Sequence, residues 1–357
     1  MITSVVDFFS GCGGTSLGLR DSEMRILAGI DDDPDAAATF KLNFPEAKLF
    51  EKDIQDVSID DIRELLPDGE VMFAGCAPCQ PFSKQNRSKA PDDPRRLLLG
   101  EFQRFVTALE PDHIIVENVP GLQRVGKNGP LADFIDELEG LGYEVVWDIL
   151  HASHYGVPQR RTRFVLLASL IPGRVQLPRP THGPKRLPVS IVQEWISGLP
   201  PLEAGTVDTN DADHCAMSVS EKNMQRLRAT PEGGGRDSWP AELLLDCHSR
   251  HKGHSDVYGR LAWDRPASAM TTRCLSYSNG RFGHPSEDRA ISVREAACLQ
   301  TFPRDFRFAG NITSRGRQIG NAVPPVLSRA IGRVFTGQEV VKGANSNSQC
   351  ITLDDLM

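Results

Sequence analysis

A chain of 357 residues, 39% hydrophobic and 24% charged, is that of a globular protein able to bury a sizeable core as one large or two medium domains. No apolar run approaches the roughly 18 residues of a membrane span and no charged-then-apolar leader opens the chain, so a cytoplasmic protein is expected, its eight cysteines thiols rather than a disulfide framework. The net charge of -7 conceals a split: residues 1–150 hold 14 Lys/Arg and 28 Asp/Glu, residues 151–357 hold 26 and 19, and 22 of those 26 are arginine. A basic, arginine-rich half is the footprint of a nucleic-acid face, although a solvated surface explains such an asymmetry as readily.

The first predicted strand is Ser4 to Phe9, followed by Ser10-Gly-Cys-Gly-Gly-Thr-Ser-Leu-Gly-Leu19. Strand, glycine-rich turn and helix open a nucleotide-binding α/β unit, in which Gly11, Gly13 and Gly14 let the backbone approach a ligand and present N–H groups. The pattern falls short of a full GxGxxG and is weak alone. A second strand, Arg25 to Ile30, ends at Asp31, twenty residues after Gly11, the spacing of an acid that accepts ribose hydroxyls. A helix from about Asp33 to Asn43 has Pro34 in its first turn, and a short strand near Lys48 to Phe50 leads to Asp53 and Ile54. Asp53 is equally well an ordinary loop aspartate.

The central strand, Val71 to Gly75, runs into a loop that holds Cys79 between Pro78 and Gln80. Open α/β sheets place their chemistry at the carboxyl ends of strands, and Pro78 and Pro81 stiffen the backbone on both sides of the thiol, as a nucleophile requires. Two blander readings compete. Cys76-Ala-Pro-Cys79 is formally a CxxC, yet no second close cysteine pair exists to complete a zinc site, and free cysteine is often simply buried. No metal is expected. A helix from about Leu97 to Leu109 returns the chain to a fifth strand, His113 to Val116, which stops at Glu117, a carboxylate at the same edge as Cys79.

Pro130 to Leu141 reads as a helix, and Tyr143 to Leu150 with Arg163 to Ala168 as a closing strand pair around the arginine cluster Gln159-Arg-Arg-Thr-Arg163. This alternation predicts an α/β domain, a doubly wound parallel sheet covered on both faces. Beyond Ile171 the sequence turns proline-rich and irregular, the pattern of a smaller, loop-rich module with glycine clusters such as Gly233 to Gly235. Ser292-Val-Arg-Glu295 is a capping box opening a helix through Gln300, and Gly320-Asn-Ala-Val-Pro-Pro325 precedes a helix to about Phe335. The polar stretch beyond Gly343 is expected to be disordered.

The ordered series DFFSGCGG, APCQPFS, ENV, QRRTR, REAACLQTFP and GNAVPP resembles that of the DNA cytosine-C5 methyltransferases, from the first strand to about residue 335. The resemblance implies a Rossmann-like S-adenosylmethionine domain over residues 1–170, a target recognition domain over 171–317, a C-terminal helix over 318–342 rejoining the first domain, and the tail 343–357. It implies that Cys79 attacks C6 of a flipped-out cytosine in a short duplex DNA motif. Glu117 would contact N3 and the exocyclic amine, and Arg163, with Arg161 beside it, would hold the cytosine carbonyl. For the cofactor it implies Phe9, Gly11, Gly13, Gly14, Asp31 with Asp32, Asp53, Ile54, Pro78, Leu98, Asn321 and Val323. Gln80, Ser83, Thr271, Thr272 and Arg273 are the DNA-contacting candidates. The chain departs from the family at Ala269-Met270, where a Thr-Leu-like pair is usual, and at Cys76, where glycine is common.

The compact single chain, without an extra N-terminal domain, resembles the bacterial or phage enzymes of restriction-modification systems, which act as monomers beside a partner endonuclease. Three alternatives stand against this reading. A catalytically dead relative is opposed by the intact Cys79, Glu117 and Arg163. An NAD-type oxidoreductase gives Cys79 no role. A tRNA substrate is the nearest rival, though the Cys-Phe-Thr tripeptide typical of that branch is missing from the sequence.

Overall fold

The computed structural model describes residues 2–76, 98–120, 129–245 and 256–337. They form two units: Met1–Tyr155, Thr162–Pro180 and Val323–Ala344 in the first, Gly156–Arg161 and Thr181–Ala322 in the second, each taken over its described residues.

The first unit is an α/β sheet built from short apolar strands. In chain order these are β1 (Ser4–Phe8), β2 (Arg25–Asp31), β3 (Lys48–Glu51), β4 (Val71–Gly75), β5 (His113–Asn118), β6 (Glu144–His151) and, after a two-residue β7 (Gln159–Arg160) of the second unit, β8 (Thr162–Ser169). The sheet order is β3-β2-β1-β4-β5-β8-β6. β1 to β5 are parallel, whereas β8 runs antiparallel to both β5 and β6. The sheet is therefore mixed rather than wholly parallel, which corrects the expectation. The return from β6 into β8, through Ala152–Arg161, inverts the direction, and β8 slots between β5 and β6, where two neighbours complete its hydrogen bonds.

Helices α1 (Gly14–Arg20), α2 (Pro34–Asn43), α3 (Ile59–Arg63), α4 (Leu98–Leu109) and α5 (Pro130–Gly140) connect the strands. Asp33 caps α2 through Asp35 N at 3.1 Å, and Ser58 with Asp61 closes a capping box on α3. Val6 and Phe8 of β1 point to the face covered by α4 and α5, where Phe8, Phe73, Phe102, Phe105 and Phe134 form one core. Asp7, between them in sequence, points to the opposite face and accepts from Ser16 Oγ of α1 at 2.6 Å.

The second unit holds α6 (Val192–Ile196), α7 (Glu221–Arg228), β9 (Ala267–Ser268), which pairs in parallel with β7, then α8 (Val293–Leu299) and α9 (Ile312–Asn321). With few ladders to satisfy its backbone, this unit is tied by buried arginines. Arg289 binds Glu295 at 2.7 and 2.8 Å, Arg294 binds Asp211, and Arg260 donates to five backbone and carboxylate oxygens. The expected capping box of Ser292 and Glu295 is present at the start of α8.

α9 spans the boundary expected near residue 317, and the chain passes into the first unit only at Val323. There α10 (Pro325–Thr336) packs along α1, so closely that a Cβ on Gly18 would overlap the Pro325 carbonyl and one on Gly332 would overlap Ser22 Oγ.

Candidate active site

The parallel strands deliver their carboxyl ends to one edge of the first unit. Register aligns Phe8 with Ile30 and Gly75, and Gly75 with Val116, so the residues following β1, β2, β4 and β5 form a row. The strand order reverses between β1 and β4, the crevice in which open α/β sheets hold ligands.

Two predicted cofactor elements meet at that crevice. After β1 the backbone takes positive φ at Phe9 (60°), Gly11 (54°) and Gly13 (93°), a turn closed by the Gly13 N–H donating to Ser10 O at 2.9 Å. Positive φ is costly for phenylalanine and routine for glycine, so the turn concentrates its strain at Phe9. Among the described residues, apart from its chain neighbours, no atom lies within 4 Å of the place a Cβ on Gly11 would take, whereas a Cβ on Gly13 would overlap the Phe44 ring. Asp31, at the end of β2, accepts from Gly11 N at 2.7 Å through one oxygen and from Asp33 N at 3.0 Å through the other. Burial pushes its pKa up to about 6 against those two hydrogen bonds. A carboxylate held this way keeps a lone pair on each oxygen for a hydroxyl donor. The open backbone at Gly11 and the fixed carboxylate of Asp31 together fit an adenosyl-type cofactor.

The remaining cofactor candidates are distributed as follows. Asp32 is exposed. Asp53 accepts from Gln55 N at 2.9 Å, and the Ile54 side chain belongs to the hydrophobic core behind the sheet. Gly14 begins α1 and Leu98 begins α4. Val323 is buried in the first unit, and Asn321 is the exposed last residue of α9 in the second. Pro78, Cys79, Gln80 and Ser83 lie outside the described residues.

At the carboxyl end of β5, Glu117 is 7% exposed, and Arg163 of β8 brings its Nε to 2.5 Å from Glu117 Oε1. The two form a close, buried ion pair, and Arg163 also donates to Thr162 O at 2.8 Å. Burial raises the Glu117 pKa and the adjacent guanidinium opposes that rise. A carboxyl balanced between these influences is suited to holding and giving up a proton.

Two further side chains of this unit, Cys76 and Asp7, take roles that the sequence does not assign. Cys76, one residue past β4, sets its sulfur 3.3 Å from Thr15 Oγ1 of α1, and its backbone N–H donates to Phe8 O at 3.3 Å. Burial, followed by the negative charges of Glu117 and Asp7, pushes this thiol well above its ordinary pKa, so it is protonated and no nucleophile. Asp7 is wholly buried, its Oδ1 has no hydrogen-bond partner among the described residues, and burial lifts its pKa to about 7. The one available signal was a charged residue inside the apolar strand SVVDF.

Arg161 is placed otherwise than expected. Its buried guanidinium donates to Met270 O (2.9 Å), Gly320 O (3.2 and 3.3 Å) and Ala322 O (2.9 Å). A guanidinium so engaged ties backbone segments of the second unit together and is not directed at a base, which corrects its assignment to the catalytic set. Thr271, Thr272 and Arg273 form a turn closed by the Cys274 N–H donating to Thr271 O at 3.0 Å, with Thr272 and Arg273 exposed. Among the described residues no group of three His, Cys, Asp or Glu is placed to hold a metal ion, and no helix is long and apolar enough to cross a membrane.

Known proteins resemble this chain over most of its length. The Type II methylase M.HgiDII of Herpetosiphon aurantiacus is 39% identical over 340 residues, spanning 93% of this chain and 95% of that protein. The Type II methyltransferase M1.HphI of Haemophilus parahaemolyticus is 32% identical over 335 residues, 93% of this chain and 86% of that one. Among solved structures, a prophage-encoded protein of E. coli described as a DNA modification methyltransferase superposes with a TM-score of 0.69 at 24% identity, covering 94% of this chain and 99% of that chain. The Spodoptera frugiperda DNMT2 does so with a TM-score of 0.63 at 19% identity, with the same coverage. The family model of the C-5 cytosine-specific DNA methylases matches residues 3–336. The chain belongs to that family and is a DNA cytosine-C5 methyltransferase.

Proposed function

We propose that the protein transfers the methyl group of S-adenosylmethionine to C5 of a cytosine flipped out of a short duplex DNA motif, with Cys79 as the nucleophile. The observation that carries this reading is the Glu117–Arg163 pair at the carboxyl end of β5 and the amino end of the antiparallel β8, one strand from β4, whose sequence continues into the Cys79 loop. When bound, the cofactor supplies a methyl group on a positively charged sulfur. Gly11, Gly13 and Gly14 receive its methionine end, Phe9 its adenine, and Asp31 its ribose hydroxyls, with Asp32, Asp53, Ile54, Leu98, Pro78, Asn321 and Val323 completing the pocket.

The thiolate of Cys79 adds to C6, and the electrons of the C5=C6 bond pass toward C5 as Glu117 gives a proton to N3. Arg163 holds the cytosine carbonyl while keeping Glu117 in place. C5 then takes the methyl group, the electrons of the broken C–S bond staying on sulfur as neutral S-adenosylhomocysteine leaves. Loss of the C5 proton to water, return of the N3 proton to Glu117 and departure of Cys79 as thiolate restore the ring. Reaching the base costs a few kcal/mol of stacking and pairing, which contacts from the second unit offset, among them Thr271, Thr272 and Arg273, with Gln80 and Ser83 beside Cys79.

Residues 1–170 with 318–342 act as the catalytic domain and 171–317 as the target recognition domain. The names of the two relatives support a place in a restriction-modification system, in which the methylated motif is spared by a partner endonuclease. The enzyme works in the cytoplasm as a monomer, since each step needs one copy of each residue. Transfer of tritiated methyl groups to unmethylated plasmid DNA, compared with transfer to tRNA, tests the reading. Incorporation confined to DNA supports it, and incorporation into tRNA alone refutes it.

A further inference from the structure

The register of the parallel strands sorts the polar residues of the first unit by face. Asp7 of β1 pairs with Gly29 of β2 and with Ala74 of β4, and Ala74 pairs with Ile115 of β5, so all four belong to the face on which Asp7 meets α1. Two residues further along the same strands, at the carboxyl edge, that face carries Asp31, Cys76 and Glu117. Asp7 therefore lies one side-chain step beneath this row. In the sheet β1 stands between β2 and β5, so Asp7 sits under the span from Asp31 to Glu117.

The surroundings of Asp7 leave its charge uncompensated. Its Oδ2 accepts from Ser16 Oγ at 2.6 Å, and its Oδ1 has no hydrogen-bond partner among the described residues. The charged side chain that bears on it is Asp31, a second acid, so neither neighbour supplies a positive charge. The other titratable groups around it are Cys12 of the glycine turn and Cys76, whose sulfur contacts Thr15 Oγ1 of α1 and also feels Glu117. Burial holds both thiols protonated, Cys12 being pushed up to about 12. A carboxylate buried without a cation is costly, and burial lifts the Asp7 pKa to about 7 against the Ser16 hydrogen bond. A positive charge brought to this face by a ligand would offset that cost.

We infer that Asp7 is the residue that discriminates the charge on the cofactor sulfur, its buried carboxylate favouring S-adenosylmethionine over S-adenosylhomocysteine. The inference rests on the proposed function, in which Asp31 holds the ribose and Glu117 meets the cytosine. The sulfur is the atom that covalently joins the ribose arm to the methyl group passing to that base. Ionised Asp7 attracts the positive sulfur through a low-dielectric interior, where such attraction is strong. Once the methyl group has left, the sulfur is neutral and the attraction is gone, so the product is held less tightly than the substrate form. Protonated, below about pH 7, Asp7 makes no such distinction.

The test measures the dissociation constants of S-adenosylmethionine and S-adenosylhomocysteine by calorimetry without DNA, so that no transfer takes place, at about pH 5.5 and about pH 8.5, either side of the Asp7 titration. In the wild type the preference for S-adenosylmethionine should be greater at the higher pH by about fivefold or more, the scale on which an opposite charge moves the titration of a carboxyl. In Asp7→Asn the preference should not change with pH. Ser16→Ala removes the hydrogen bond that opposes the effect of burial, and should move the midpoint of the change to higher pH. Should a variant fail to fold, the wild type alone gives a second readout from buffers of different protonation enthalpy. At about pH 6.5, below the Asp7 pKa, S-adenosylmethionine should release more protons on binding than S-adenosylhomocysteine. Asp31, with a pKa of about 6, meets the ribose of both forms alike and cancels from that comparison. A purely structural Asp7 would leave the wild-type preference constant with pH, and that outcome overturns the inference. So does an undiminished pH dependence in Asp7→Asn, or equal proton release by the two forms. Failure to bind either form at both pH values would instead remove the proposed function, and the inference with it.

Discussion

Replacing Glu117 by glutamine removes one proton from the site and almost nothing else. The side chain is 7% exposed and its Oε1 sits 2.5 Å from Arg163 Nε, so an amide of the same shape fits the space. Two costs follow. The ion pair becomes a charge facing an amide oxygen, a loss of about 1.5–2 kcal/mol in stability, the lower part of the range for bonds to charged groups, because Arg163 keeps its bond to Thr162 O. That loss lowers the melting temperature by only a few degrees. The chemical cost is larger, because an amide cannot deliver a proton to N3. General acid catalysis is worth about 10²–10⁴ in rate, or roughly 3–5 kcal/mol of barrier. Single-turnover methyl transfer with enzyme in excess, at saturating cofactor and plasmid DNA, isolates this step. The wild-type rate should also decline as pH rises through the elevated Glu117 pKa, since the proton donor is then lost, and that limb should vanish in the variant. A variant rate within about threefold of wild type would remove Glu117 from the chemistry.

Other perturbations address the frame and the cofactor turn. Cys79→Ala should abolish methyl transfer and leave S-adenosylhomocysteine binding unchanged, and appreciable turnover would eliminate the nucleophile assignment. Asp31→Ala should weaken S-adenosylhomocysteine binding by about 10–100-fold, the value of a lost hydrogen bond to a charged group, with unaltered affinity as the opposing result. Asp7, with a pKa of about 7 when folded against 3.8 ordinarily, holds its proton more tightly in the native state. Its contribution to stability is full below about pH 4 and is lost as pH rises toward 7. Asp7→Asn should therefore match the wild type near pH 4.5 and exceed it at pH 8 by about 1–3 kcal/mol, after allowing for an unpartnered amide, in denaturant titrations. Equal stability at both pH values would contradict the burial argument. Gly18→Ala should cost about 1–3 kcal/mol by forcing α10 away from α1, visible as a lowered melting temperature, whereas an unchanged one would contradict that close approach.

The sheet was legible wherever a short apolar run ended in a glycine or an acid. β1 with its glycine turn, β2 ending at Asp31, and β4 all appear where the periodicity placed them, and β5 does so but runs on through Glu117 to Asn118. The Ser292–Glu295 capping box was equally visible, because its four residues satisfy one another locally. What escaped depends on partners distant in sequence. The strand Thr162–Ser169 could be seen as a strand, but its antiparallel place between β5 and β6 is set by pairing that no local pattern records. α9 was missed because Gly316 and Gly320 weaken its helical signal, and they are there for contact with Leu275 and Thr271. Arg161 and Arg163 look alike in a basic cluster, yet one clamps three carbonyls and the other faces Glu117. Asp7 and Cys76 gained their meaning only from the burial that raises both pKa values.

The central claim, that Cys79 drives methylation of C5 in a defined DNA motif, is tested most directly by bisulfite sequencing of plasmid DNA. The DNA would come from cells expressing this chain and, in parallel, from cells expressing Cys79→Ala. The account predicts protected cytosines at one position of one short motif in the first sample and none in the second. Plasmid without protected cytosines, from cells holding soluble protein able to bind S-adenosylhomocysteine, would contradict it, as would equal protection by the alanine variant.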